Sequence, residues 1–330
     1  MTEAILHIGQ HKTGTSSIQR SLGAVDRKLD CLNFRYLNGK IRNHSFIISP
    51  AFGNKNSLSY YRKLKFGHGI PFRKMTRDEA RMVLRNEVKS AQQSNQKIVI
   101  SAEDFCALKH EEVQDARDFF VNCGVSKFKV IGYFRGVQSW ANSFSQQIIK
   151  QGNATLEDVF ERVPYPMYRE LFEKFLEVFG RSNVSLNPYE KAALAEGCVV
   201  RDFLQRSGLE VPNEHFSLIN VNSSLNSYQV QIASYMTELY RQKGWKNRQE
   251  LSRTFHRVGL DQTSQKFYLP SKVISQALVH ARADADWLVS VTGIEHDFLL
   301  GHKEKDCEDL FNACIKRSDI AHIAMLAFER

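Results

Sequence analysis

Residues 9–17, Gly9-Gln10-His11-Lys12-Thr13-Gly14-Thr15-Ser16-Ser17, gather the groups that grip an oxyanion. Two glycines let the backbone turn tightly, so amide N–H groups converge on one point. Lys12 adds a full positive charge, and Thr13, Thr15, Ser16 and Ser17 add hydroxyl donors. The run follows an apolar stretch at 4–8 (AILHI) and leads into 16–22, where Ile18 and Leu22 are spaced as on a helix. A strand–loop–helix unit would aim the partial positive charge of a helix N-terminus at the same point. The plain alternative is a Ser/Thr-capped helix after a turn; the lysine and four hydroxyls favour anion binding. The loop is not a Walker A sequence, because its lysine precedes the second glycine instead of following it. That weighs against an ATPase or a kinase.

A second constellation lies about 120 residues further on. Residues 127–134 (KFKVIGYF) read as a strand, and Arg135 follows at its carboxyl end, where open α/β sheets bind ligands. A guanidinium donates two bonds at once to a phosphate. Ser143 falls eight residues later, on the first turns of the next helix. The alternative is an arginine capping a sheet edge and an incidental helix serine.

The elements that position these residues alternate. Strands are expected at 4–8, 97–101 (KIVIS), 127–134 and 183–190, and helices at 16–22, 111–122, 137–150, 168–179 and 197–206. Another helix starts at Thr76, where Thr76-x-x-Glu79 forms a capping box, with Ala80, Val83, Leu84, Val88 and Ala91 as its apolar face. Such alternation implies βαβ units and a parallel sheet covered on both faces. Residues 38–75 read as a loop-rich excursion carrying Tyr60, Tyr61 and a basic cluster at Arg62, Lys63, Lys65, Arg73 and Lys74. After residue 225 helices are expected near 226–243, 271–291 and 305–328. The expected organisation is an α/β core over 1–225 and a helical extension of the same domain over 226–330.

The chain has 330 residues, 42% hydrophobic and 25% charged, enough for a substantial core. Only 18 glycines and 7 prolines exclude collagen-like and low-complexity readings. A net charge of +9 favours acidic partners, but no basic run of five residues suggests a nucleic-acid arm. No signal peptide and no membrane span is apparent, so a cytoplasmic protein with six reduced cysteines (31, 106, 123, 198, 307, 314) is expected. None sits in a C-x-x-C pair, so each reads as a small buried hydrophobe.

His11-Lys12-Thr13-Gly14-Thr15-Ser16-Ser17-Ile18-Gln19 resembles the 5′-phosphosulfate-binding loop of sulfotransferases that use 3′-phosphoadenosine 5′-phosphosulfate (PAPS), in the form seen in bacterial members. Arg135 and Ser143 look like the family's 3′-phosphate motif, an Arg and a Ser eight apart across a strand–helix junction. Asn187-Pro188-Tyr189-Glu190, then Val200-Arg201-Asp202-Phe203-Leu204 with Gly208-Leu209, and Asn220-Val221-Asn222-Ser223-Ser224-Leu225 extend the likeness to about residues 4–225.

The resemblance implies a P-loop-type three-layer sandwich and a PAPS-dependent sulfuryl transfer. The acceptor would be a hydroxyl or amine, on a carbohydrate or glycoconjugate, and the product adenosine 3′,5′-bisphosphate; no metal is required. It places Lys12 at the leaving oxygen, with Gly9, Thr13, Gly14, Thr15, Ser16 and Ser17 around the 5′-phosphate. Arg135 and Ser143 then hold the 3′-phosphate. A base must take the acceptor proton. Cytosolic members use a His from a Lys-Thr-His stretch at a similar strand end, whereas several glycan sulfotransferases use Glu. Here that position holds Glu103, in Ser101-Ala102-Glu103-Asp104. Glu103 and His11 both remain candidates, and Glu103 or Asp104 capping the next helix is an equal alternative. His7 reads as structural, His44, His68, His110 and His256 have no evident partner, and Trp140 and Phe134 flank the adenine or, more in keeping with their position, join the core. A variant P-loop kinase and a non-catalytic polyanion binder are the competing readings.

Overall fold

The computed structural model describes residues 2–25, 32–37, 41–53, 75–212, 216–219, 224–242 and 266–301. The chain divides into two compact units. The first comprises Met1–Tyr61, Phe72–Arg135 and Tyr168–Val221; the second comprises Arg62–Pro71, Gly136–Met167 and Asn222–Arg330.

In the first unit, β1 (Thr2–Gly9) leads to α1 (Thr15–Leu22), then β2 (Phe34–Tyr36) and α2 (Ser45–Phe52). Next come α3 (Arg77–Gln93), β3 (Lys97–Ala102), a 3-10 turn (Glu103–Ala107), α4 (His110–Asn122) and β4 (Val125–Phe134). The second unit takes α5 (Val137–Lys150) and α6 (Leu156–Glu161), and the chain then returns to the first with α7 (Tyr168–Phe179), β5 (Val184–Pro188) and α8 (Val199–Ser207).

The five strands form one all-parallel sheet in the order β2-β3-β1-β4-β5. Ala4, Ile5, Leu6 and Ile8 are at most 1% exposed, as a strand covered on both faces requires. On one face Ile5, Val99, Ile131 and Tyr133 pack against Ile18 and Leu22 of α1 and Val200, Phe203 and Leu204 of α8. On the other, Ile8, Gly132 and Leu186 meet Phe172 of α7, and α3 and α4 cover the same sheet. The unit is therefore the expected three-layer α/β sandwich. Chain connections leave β1 and β4 toward opposite sides of the sheet, so the carboxyl ends of these neighbours flank the topological switch point where α/β sheets bind ligands.

In the first unit the helix α2 and the strand β2 depart from the sequence reading. The excursion expected at 38–75 contains α2, a helix hidden by its composition: Pro50 lies within it and six of its eight residues are buried, with the exposed Phe46 itself apolar, so it shows no polar stripe. The edge strand β2 is three residues long, too short for a recognisable alternation. The capping box at Thr76 is present, with Thr76 Oγ1 accepting from Glu79 N and Glu79 Oε2 accepting from Thr76 N. Val83 is only partly buried, and Ala80, Leu84, Val88 and Ala91 form the inward face.

The second unit adds α9 (Ser227–Gln242), α10 (Ser271–Thr292) and α11 (His296–Leu300) to α5 and α6. Asn142 of α5 accepts from the backbone N–H of Leu269 at 2.7 Å, and Asp158 pairs with Arg241 at 2.7 Å. The helix expected at 305–328 and most of the basic excursion lie outside the described residues. Among the described residues no helix is long and apolar enough to cross a membrane.

Candidate functional site

The loop after β1 folds back on itself. A Cβ on Gly9 would lie 2.6 Å from Thr15 Oγ1, so only glycine fits there. Thr13 Oγ1 donates to the Gln10 carbonyl at 2.6 Å. Lys12 (φ 74°) and Gly14 (φ 76°) are both left-handed. For a lysine that conformation costs about 1 kcal/mol or more, and such strain gathers at functional sites. The Gly14 carbonyl accepts from Ser17 N and Ile18 N and opens α1, whose N-terminus receives no side-chain cap. The earliest N–H groups of α1 therefore lack the usual internal acceptor, and the helix dipole adds positive potential. Thr15 is 4% exposed, and its Oγ1 is buried with no hydrogen-bond partner.

Arg135 stands directly after β4. Its N–H donates to Gln10 Oε1 at 3.0 Å, and its carbonyl accepts from Tyr168 Oη. Its guanidinium lies over the Tyr189 ring, Cζ 4.6 Å from the ring centre. Tyr189 is fixed by its own N–H to Phe134 O at 2.7 Å. The same ring closes on the loop: a Cβ on Gly14 would come within 2.8 Å of Tyr189 Cε2 and of Val199 Cγ1. Tyr189 thus lies against both Arg135 and the loop at Gly14. Burial lowers the Arg135 pKa, opposed by Tyr189. Arg135 Nε and Gln10 Nε2 are buried without partners, like Thr15 Oγ1. Three buried polar atoms without partners thus lie around the Gln10–Arg135 junction, where interiors otherwise satisfy such groups.

Glu103 follows Ala102, the residue of β3 that pairs with Ile8 of β1. The pairing brings the two expected base candidates together: His11 Nδ1 lies 3.2 Å from Glu103 Oε2. Their side chains are 15% and 20% exposed. Asp104 is committed elsewhere, accepting from Ser49 Oγ at 2.8 Å while its N–H donates to Ser45 Oγ at 3.1 Å. Neither acid caps the next helix, where Lys109 N donates to Glu112 Oε2 at 2.8 Å. Beneath the turn, Lys174 Nζ donates to Cys106 O at 2.7 Å, and burial lowers the lysine pKa. Burial pushes the Cys106 thiol up to about 12, so it stays protonated and unreactive.

The other expectations sort as follows. His7 is buried between the Tyr133 and Phe203 rings, with Nδ1 2.7 Å from Ser101 Oγ, and burial drives its pKa to about 3. It is a neutral structural residue. His44 does have partners: Nδ1 accepts from Ser101 N at 2.9 Å and the ring lies 4.3 Å from that of Tyr36. His110 lies 3.3 Å from Glu177. Phe134 is fully buried and Trp140 stacks on Phe144, so both belong to cores. Ser143 is a partly buried residue of α5, in the second unit, whereas Arg135 closes a segment of the first. His68, His256, Tyr60, Tyr61, the cluster Arg62, Lys63, Lys65, Arg73 and Lys74, Asn220–Ser223 and cysteines 31, 307 and 314 lie outside the described residues. Sequence reasoning did not single out Gln10 as a site residue, and it noted Tyr189 only as part of a motif.

The chain is 26% identical to an uncharacterized protein of Archaeoglobus fulgidus over 152 residues, 45% of this chain and 41% of that protein. The match thus spans less than half of that relative's length. No family model matches the sequence, and no solved structure matches the chain.

Proposed function

We propose that this protein transfers a sulfuryl group from PAPS to a hydroxyl or amine acceptor, of carbohydrate or glycoconjugate class, leaving adenosine 3′,5′-bisphosphate. The observation that carries the reading is the meeting of residues just beyond the carboxyl ends of β1, β3 and β4. There a lysine-bearing loop with an uncapped helix N-terminus, an arginine with an orphaned Nε, and a His–Glu pair converge. Lys12 neutralises charge growing on the leaving oxygen while Thr13, Gly14, Thr15, Ser16 and Ser17 hold the 5′ end. Arg135 takes the 3′-phosphate, and His11 or Glu103 receives the acceptor proton. By analogy with phosphoryl transfer, most of the catalysis is positioning and electrostatics. The anionic donor, and an anionic glycan as acceptor, fit the net charge of +9.

The test is calorimetric titration of the full chain with adenosine 3′,5′-bisphosphate and with ATP, each with and without magnesium. Tighter, magnesium-independent binding of the bisphosphate supports the reading. Preference for ATP with magnesium makes the protein a kinase, and binding of neither overturns the nucleotide assignment. Labelled PAPS offered with polysaccharide, lipid and small-molecule pools then identifies the acceptor.

A further inference from the structure

We infer that His11 and Glu103 act as one device, with His11 Nε2 as the atom that takes the acceptor proton and Glu103 as the positioning residue that holds the ring through Nδ1. The inference rests on the transfer reading above and divides a role that the sequence left open between the two side chains.

The pair is set by the sheet and not by loop chance. His11 follows the end of β1 and Glu103 the end of β3, and these adjacent strands are locked in register by Ile8 opposite Ala102. An ionised carboxylate only accepts hydrogen bonds. In the neutral ring the Nδ1–Oε2 contact at 3.2 Å calls for the proton on Nδ1, which puts the basic lone pair on Nε2. A carboxylate so placed orients the ring and stabilises the imidazolium formed when it is protonated, without being protonated itself. The neighbouring titratable groups do not compete for this proton. His7 is held neutral by burial, Cys106 keeps its proton, and Asp104 is bound to Ser49 and Ser45. Lys12, next in sequence to His11, is the cation for the opposite end of the displacement.

In the step, the acceptor O–H bond breaks and its proton passes to His11 Nε2. The acceptor oxygen forms the new bond to sulfur. The sulfur–oxygen bond to the 5′-phosphate breaks, and the departing oxygen keeps the electron pair beside Lys12. Glu103 remains a carboxylate throughout, and the imidazolium later loses its proton to water.

Two measurements on the full-length protein test this. The first is long-range ¹H–¹⁵N NMR of the histidine rings, with His11→Asn supplying the assignment. The expected result is a neutral His11 in the Nδ1–H form that moves toward Nε2–H in Glu103→Ala. An Nε2–H ring in the wild type overturns the pairing, whether or not any transfer activity is found. The second is turnover. His11→Ala should lose about 10²–10⁴-fold, and Glu103→Gln, which loses the charge that stabilises the imidazolium and can offer its amide N–H to Nδ1, should also lose turnover. A His11→Ala protein that keeps turnover within about 10-fold while Glu103→Gln is inactive, with bisphosphate affinity intact in both, makes Glu103 the base and overturns the division of roles. If the wild type neither binds the bisphosphate nor transfers, the sulfotransferase reading fails while the NMR result still judges the pair.

Discussion

Gln10 and Arg135, 125 residues apart in sequence, are joined by a hydrogen bond of 3.0 Å from the Arg135 N–H to Gln10 Oε1. Gly9 pairs with Tyr133 at the end of the β1–β4 ladder, so the glutamine side chain continues the ladder one step beyond the sheet. The bond spans the switch point and fixes the distance between the lysine loop and the arginine. Gln10→Leu keeps the bulk and removes the acceptor. The expected outcome is a loss of about 1 kcal/mol in urea unfolding, the usual worth of such a bond, and weaker binding of adenosine 3′,5′-bisphosphate. Unchanged stability and affinity would show that the strut carries no weight.

Lys12 should matter to transfer more than to binding. Its charge is needed most when the leaving oxygen gains electrons, so it stabilises the transition state above the ground state. Lys12→Ala should lower kcat by roughly 10²–10³-fold, in line with loss of one oxyanion-stabilising donor, and weaken bisphosphate binding far less. Steady-state kinetics beside a binding titration separate the two, and an active Lys12→Ala protein removes the lysine from the chemistry.

Arg135 should read the 3′-phosphate. Its guanidinium lies over the Tyr189 ring, and its Nε is buried without a partner. A charge-assisted bond is worth about 1.5–3 kcal/mol, which corresponds to roughly 10–100-fold in Kd. Arg135→Ala should weaken adenosine 3′,5′-bisphosphate by that factor while leaving adenosine 5′-monophosphate nearly unchanged. Equal losses for both nucleotides would mean that the arginine only shapes the cleft.

The parts of this site that were legible in the sequence are those that follow strands. Residues 4–8, 98–100 and 130–134 are mainly apolar because the parallel strands are covered on both faces there, so Lys12, Glu103 and Arg135 could be assigned to the sheet's carboxyl edge. What stayed hidden depends on partners distant in sequence. Gln10 looks like any loop residue until Arg135 is set beside it, and Tyr189 gains meaning only from Gly14 on one side and Arg135 on the other. The partnership of His11 with Glu103 required the β1–β3 register, which no local pattern encodes. Helix α2 was lost for the opposite reason: a segment buried nearly all round, with a proline inside, carries no period to find.

His7 links the site to stability and gives a prediction about pH. Burial drives its pKa from 6.5 to about 3, with Glu103 pulling in the other direction, so the folded protein holds it neutral. The unfolded chain takes up a proton near pH 6.5 and the folded one does not until about 3, so acid favours the unfolded state between these values. The stability tied to this residue is complete above pH 6.5 and is lost as the pH falls toward 3. One such group contributes a slope of up to about 1.4 kcal/mol per pH unit. Carboxylates add their own acid sensitivity, but they do so equally in a variant that lacks only this ring. His7→Gln should therefore be less stable at pH 7.5, through poorer packing between Tyr133 and Phe203, yet should lose stability more slowly than the wild type from pH 6.5 to 4.5. Urea unfolding midpoints across that interval decide the matter, and parallel curves would mean that His7 accepts a proton in place.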